Sequence, residues 1–359
     1  MLKDFCARRS TSLFIGLFLL ASPAALLGQV GSEAELPPGP DPRQQPKKGV
    51  PLLVRMGDVS INKVPFLIAL DQGLYAKHGL DVTMIPYGSG AATGHGIKDA
   101  VPAELRAKAG EAQISIGGGA PGLLSRVRQS KPSDQVILAT TDHIVHWHIL
   151  ARKGIEKLED LKGKRIAISS LSACSGNIAM MLADRMGWDP VQDLAILEGD
   201  YSVTPLKEGW ADALIAYDVP LAMARLEGYR PIADLRPWNE PIPCNSVWAS
   251  RSWAQQNRDT VLRFLKAVTE AIALMKKEPP LAYAAMSKWY QFKDREVQKI
   301  IYSGAAEMPR KPYPAVDGIK RIMELYDSNA MRRYKPEAFY DDSFMRELDK
   351  SGFIDNLYR

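Results

Sequence analysis

The chain has 359 residues, of which 46% are apolar and 24% charged, with a formal charge of +5. That balance excludes wholesale disorder, and so small a basic surplus is not the footprint of a nucleic-acid binder. The length fits about two domains with sizeable cores, and three cysteines are too few for a disulfide-built scaffold.

Residues 1–28 read as a secretory signal peptide. Lys3, Arg8 and Arg9 make a basic start, Leu13 to Leu20 is unbroken by charge, and small residues follow at Ser22, Ala24, Ala25 and Gly28. Cleavage after Ala24 and after Gly28 both fit. The apolar stretch is shorter than the ~20 residues of a membrane-spanning helix. The Arg8-Arg9 pair is followed by Ser10-Thr11-Ser12, where a twin-arginine signal would place an apolar residue. Cys6 precedes the apolar run, so it cannot carry a lipid at a new N-terminus. Residues 29–51 read as a disordered linker, since six prolines and few apolar residues between Gly31 and Pro51 cannot offset the entropy of ordering.

From Leu52 onward strands alternate with helices. Leu52 to Val59 is a strand. Pro65 to His78 carries Phe66, Leu67, Leu70 and Leu74 at helical spacing, and Gly79 stops it. Strands follow at 80–85, 112–116 and 136–140, which argues for a mostly parallel sheet. The pattern restarts at 158–169. Helices at 176–186, 203–208 and 220–226 then alternate with strands at 194–197, 213–216 and 232–235, with Gly187, Gly209 and Gly228 as the helix stops. A returning strand at 245–249 precedes a helical tail, whose longest helix shows Val261, Leu262, Leu265, Val268, Ile272 and Met275 on one face. Those helices have no sheet of their own, so they must pack on one already built, most economically the first.

The phrase Ala69 to Val82 (ALDQGLYAKHGLDV) resembles the opening of the nitrate/sulfonate/taurine substrate-binding proteins of ABC transporters, a family that also holds thiamine-pyrimidine precursor binders. The turn Gly88-Ser89-Gly90, the phrase Leu158 to Ile166 (LEDLKGKRI) and the phrase Gly209 to Ala213 (GWADA) follow in that family's order. The resemblance implies an α/β, two-lobed periplasmic-binding-protein-like fold of the second type, with the ligand cleft between the lobes. Lobe 1 is then residues 52–147 with 246–359, and lobe 2 is residues 148–245. Chain crossings near 148–152 and 244–248 would form the hinge. The expected role is a periplasmic protein that hands a small ligand (sulfonate, nitrate, taurine or pyrimidine-like) to an inner-membrane ABC permease. It would act as a monomer, without cofactor, metal or catalysis. The alternative is an enzyme on the same scaffold, a desulfinase or pyrimidine-precursor synthase relative. Where such enzymes carry a cysteine after the first strand, this chain has Ser60-Ile61-Asn62. The segment around Lys98 to Lys108 is longer than the family's usual single helix.

Ligands collect at the carboxyl ends of strands in open α/β sheets. The loops at those ends are rich in Gly, Ser and Asn, which let backbone N–H groups approach a ligand and add side-chain donors. The candidate contacts are Ser60, Asn62, Tyr87, Ser89, Gly90, Gly118, Gly119, Ser169, Ser170, Ser175, Asn177, Asp218 and Trp248. Asp218 also reads as a helix cap, and Trp248 as a core aromatic. Lys63 is the sole cation in these loops, so a strongly anionic ligand is not demanded. His143, His146 and His148 lack the companion cysteines or carboxylates of a zinc site, and alternation would put His146 and His148 on one side of a strand. Cys174 and Cys244 fall near the expected cleft and hinge, and could pair after export.

Overall fold

The structure is a computed structural model that describes residues 49–57, 60–86, 103–118, 134–171, 173–199 and 202–359. The expected signal peptide and most of the linker lie outside the described residues.

Among the described residues ten strands form two five-stranded sheets. They are β1 Val50–Met56, β2 Leu80–Pro86, β3 Ile114–Gly117, β4 Gln135–Ile144, β5 His148–Ala151, β6 Arg165–Ile168, β7 Ala195–Glu198, β8 Ala213–Ala216, β9 Pro231–Asp234 and β10 Pro241–Ser250. The first sheet runs β2-β1-β3-β10-β4 and the second β7-β6-β8-β5-β9. The fold is two-lobed α/β, but the sheets are less parallel than the alternating pattern suggests. β1 is parallel to β2 and β3, whereas β10 is antiparallel to β3 and β4. Likewise β6 is parallel to β7 and β8, whereas β5 is antiparallel to β8 and β9. In each sheet the reversed strand is the one that arrives from the other lobe, so no helical crossover within the sheet constrains it to run parallel.

The chain passes between sheets at 145–147 and 235–240, just before β5 and β10. The two passages are bonded to each other: Val145 N–H donates to the Glu240 carbonyl at 2.9 Å, and Leu235 N–H to the Trp147 carbonyl at 2.9 Å.

The helix expected over 65–78 is two helices, α1 Val64–Asp71 and α2 Leu74–Lys77. Gly73 has φ 65°, a left-handed conformation open to glycine that breaks the first helix. Next come α3 Ala103–Ala107, α4 Cys174–Met186, α5 Thr204–Lys207 and α6 Asp218–Leu226. The tail holds α7 Arg251–Gln256, α8 Arg258–Lys277, α9 Pro279–Trp289, α10 Arg295–Tyr302, α11 Val316–Leu325, α12 Ser343–Lys350 and α13 Phe353–Asn356. Its longest helix packs on the first lobe, whereas α10 packs on α6 and α11 on α4 of the second lobe, so the tail braces both lobes and not the first alone. Phe264 of α8 is fully buried and stacks on Tyr75 at 5.4 Å and Phe66 at 6.3 Å. α11 lies so close to β10 that a Cβ on Gly318 would stand 2.8 Å from Ile242 Cα. Among the described residues no helix is long and apolar enough to cross a membrane.

Candidate functional site

Polar side chains are buried where the two lobes meet. The loop after β1 is pinned from behind: the Tyr290 hydroxyl donates to the Ser60 carbonyl at 2.8 Å. A short 3-10 turn, Ile61–Lys63, follows and buries all three of its residues. Asn62 Nδ2 donates to Asp142 Oδ2 at 2.7 Å. The Asn62 carbonyl accepts from Asn245 Nδ2 at 3.1 Å, and that amide also donates to Thr141 Oγ1 at 2.5 Å. Thus β4, β10 and the loop after β1 converge on one network.

Asp142 is 2% exposed. Burial pushes its carboxyl above the usual carboxylate range, opposed by the charges of His146, Lys63 and His143. Its Oδ1 lies 3.4 Å from His146 Nε2. His146 does not share a strand face with His148, because β5 begins only at His148. His148 lies 3.8 Å from Asp234 instead, and burial pulls its imidazole down to about 4. Among the described residues no group of three or more His, Cys, Asp and Glu could hold a metal ion.

The second lobe contributes the starts of two helices. Ser175 lies in the first turn of α4 and is fully buried, its hydroxyl 2.8 Å from Ser169 Oγ and accepting from Ser169 N–H at 3.0 Å. Two residues on, Asn177 is also fully buried, and neither its Oδ1 nor its Nδ2 has a hydrogen-bond partner among the described residues. Asp218 opens α6 with φ 58°, a left-handed backbone that aspartate tolerates better than most residues. Its Oδ2 accepts the N–H of Ile61 from the opposite lobe. Beside it, the Tyr217 ring lies 4.4 Å from the His146 ring and 5.6 Å from that of Trp147.

Of the candidate residues, Ser60, Asn62, Ser175, Asn177 and Asp218 are all buried. Asn62 joins the network and Asp218 spans the lobes, while Ser175 is engaged in holding its own loop. Ser169 and Ser170 are half-buried in that loop, and Gly118 is half-buried just past β3. Trp248 stands under the Arg55 guanidinium at 5.8 Å and in register with Ser115. It makes no hydrogen bond to the Asn62–Asp142 network among the described residues. Tyr87, Ser89, Gly90 and Gly119 lie outside the described residues, as does the first part of the segment around 98–108, which ends in α3 and a 3-10 turn, Lys108–Glu111.

Sequence reasoning missed Thr141, Asp142 and Asn245. The signal was present, since Thr140-Thr141-Asp142 interrupts the apolar run Val136 to Ala139 inside a strand, and Asn245-Ser246 interrupts β10. A polar pair in a doubly covered strand costs free energy unless something bonds it.

A model of the NMT1/THI5-like family matches residues 60–282. No curated protein matches the chain by sequence. Solved structures share the fold. The nitrate-binding protein NrtA of Synechocystis PCC 6803 has a TM-score of 0.64 at 14% identity, covering 85% of this chain and 89% of its own. The aliphatic sulphonate binding protein SsuA of Escherichia coli has a TM-score of 0.59 at 18% identity, covering 83% and 91%. The desulfurization enzyme DSZB has a TM-score of 0.56 at 16% identity, covering 85% and 99%.

Proposed function

The chain belongs to the NMT1/THI5-like family, and on that premise we propose that it is an exported, monomeric solute-binding protein that closes its lobes over a small polar ligand and delivers it to an ABC importer. The observation that supports this reading is that both lobes bury polar side chains and that a hydrogen bond joins one lobe to the other. Ile61 donates to Asp218 across the lobes, and Asn177 is buried with no partner for its amide among the described residues. An orphaned buried amide costs on the order of 1–3 kcal/mol, and a ligand that bonds it restores that stability. Closure is then favoured because only the closed form lets both lobes touch the ligand.

The charge of the site narrows the ligand. Asp142 and Asp218 are buried, and Lys63 is the one buried Lys or Arg among the described residues. Such a site repels a bare oxyanion and rewards N–H donors, so a taurine-like zwitterion or an amino-substituted heterocycle fits better than nitrate. The enzyme reading has the fold of DSZB on its side, but Cys244 is buried and its thiol is pushed well up by that burial, which disfavours a nucleophilic thiolate.

Thermal unfolding against taurine, alkylsulfonates, nitrate and aminopyrimidines tests the proposal. One compound should raise the midpoint saturably and be recovered unchanged, adding ~2.7 kcal/mol at 100-fold its dissociation constant. Asn177→Ala should weaken that compound's binding by roughly tenfold, the loss of about one hydrogen bond. Chemical conversion of the compound would hand the site to the enzyme reading.

A further inference from the structure

Two cysteines meet where the lobes join. Cys244 lies on β10 of the first sheet, and Cys174 is the first residue of α4, which follows β6 of the second. The helix packs against that strand, both residues are buried thiols, and the Cys174 side chain, after burial itself, helps to push the Cys244 thiol up. The sequence holds one other cysteine, Cys6, in the expected signal peptide. We propose that Cys174 and Cys244 are a disulfide-forming pair whose oxidation ties the two lobes together beside the hinge.

The position supports a latch more than an idle contact. Cys244 stands three residues past Pro241, where β10 enters the first sheet, and next to Asn245 of the polar network. A bond there crosses from one lobe to the other at the point where the chain itself crosses, so it restrains opening. The oxidant is a small-molecule or protein disulfide, the ordinary currency of an exporting compartment. The Cys174 thiolate attacks it, forming a mixed disulfide and releasing one thiol. The Cys244 thiolate then displaces the second thiol from the Cys174 sulfur. The protein loses two electrons and two protons, and the oxidant becomes two thiols. Cys174 is the attacking group because burial raises the Cys244 thiol well above its ordinary value. Its attack requires a passing opening of the lobes, and its resolution requires closure.

The consequence for ligand exchange rests on the binding-protein reading, but formation of the bond does not, and the experiment separates them. The full chain carrying Cys6→Ser is incubated natively with oxidised glutathione, then unfolded and alkylated. The expected product has lost two hydrogens, carries no glutathione and takes up no alkylating agent. Its unfolding midpoint should rise by on the order of 5 °C and fall back on reduction with dithiothreitol. Adding Cys174→Ser or Cys244→Ser should remove that response, and the Cys244→Ser chain should retain glutathione on Cys174. Two alkylated thiols after native oxidation, or a stable glutathione adduct on the chain with both cysteines, would overturn the proposal. If the bond forms but the midpoint does not move, the latch is overturned while the binding reading stands.

Discussion

The two lobes repeat one strand order but are built to different standards. In the first sheet β1 and β2 have seven residues and β4 and β10 have ten. In the second sheet each strand has four. Of the tail helices, α8 closes over α1 and α2 of the first lobe, while α10 meets α6 and α11 meets α4 of the second. The first lobe therefore offers a braced platform, and its site residues sit on strands and a pinned loop. In the proposed site the second lobe contributes Ser175, Asn177 and Asp218 from the first turns of α4 and α6, which a rotation of that lobe would move together. On the proposed reading, one lobe would hold the shape of the site and the other complete it.

Core truncations in the two lobes test that contrast most severely. Phe264→Ala should cost about 4 kcal/mol and Ile215→Ala, in β8, about 3 kcal/mol, read by urea unfolding. Both residues belong to one apolar cluster that runs through both lobes, so each should shift a single transition. Two separated transitions would mean the lobes are independent. Next come two close backbone approaches. A Cβ on Gly176 would stand 2.4 Å from the Ser170 carbonyl oxygen, and Gly176→Ala should cost roughly 2–3 kcal/mol in thermal unfolding. Gly318→Ala, facing Ile242 at 2.8 Å, should cost less. A reversed order would show that the second lobe yields more easily than its packing implies.

The smallest effect is one of pH. His148 is held neutral by burial, with its folded pKa at about 4 against 6.5 in the unfolded chain. Between those values the unfolded chain binds the extra proton, so stability falls as pH drops from about 6.5 to about 4 and then levels off. The loss should be about 2 kcal/mol after allowance for partial solvent screening. His143 is lowered by burial in the same direction. His148→Gln should flatten most of the slope in chemical unfolding at stepped pH, and an unchanged slope would assign it to His143.

Much of this architecture was legible in particular residues. Gly187, Gly209 and Gly228 all have positive φ and stand where the spacing placed helix ends. The apolar strands and the long helix over α8 announced themselves by period. The break at Gly73 did not, because a hydrophobic face runs unbroken across it and only the backbone angle reveals the stop. Asn62 and Asp218 were legible as loop residues at strand ends, whereas Asp142 and Asn245 were hidden within strands that otherwise read as core.

The sequence by itself determined the alternation of strands and helices, the helix stops and the family, because these depend on period and on residues near one another in the chain. Only the tertiary structure decided that β5 and β10 run against their neighbours, that Asn62 meets Asp142 and Asn245, that Asp218 bonds Ile61 and that Cys174 meets Cys244. Those contacts join residues about 70 to 180 positions apart, and no local preference encodes them. They exist because one apolar cluster, running through both lobes, brings the polar ends of their strands and helices face to face.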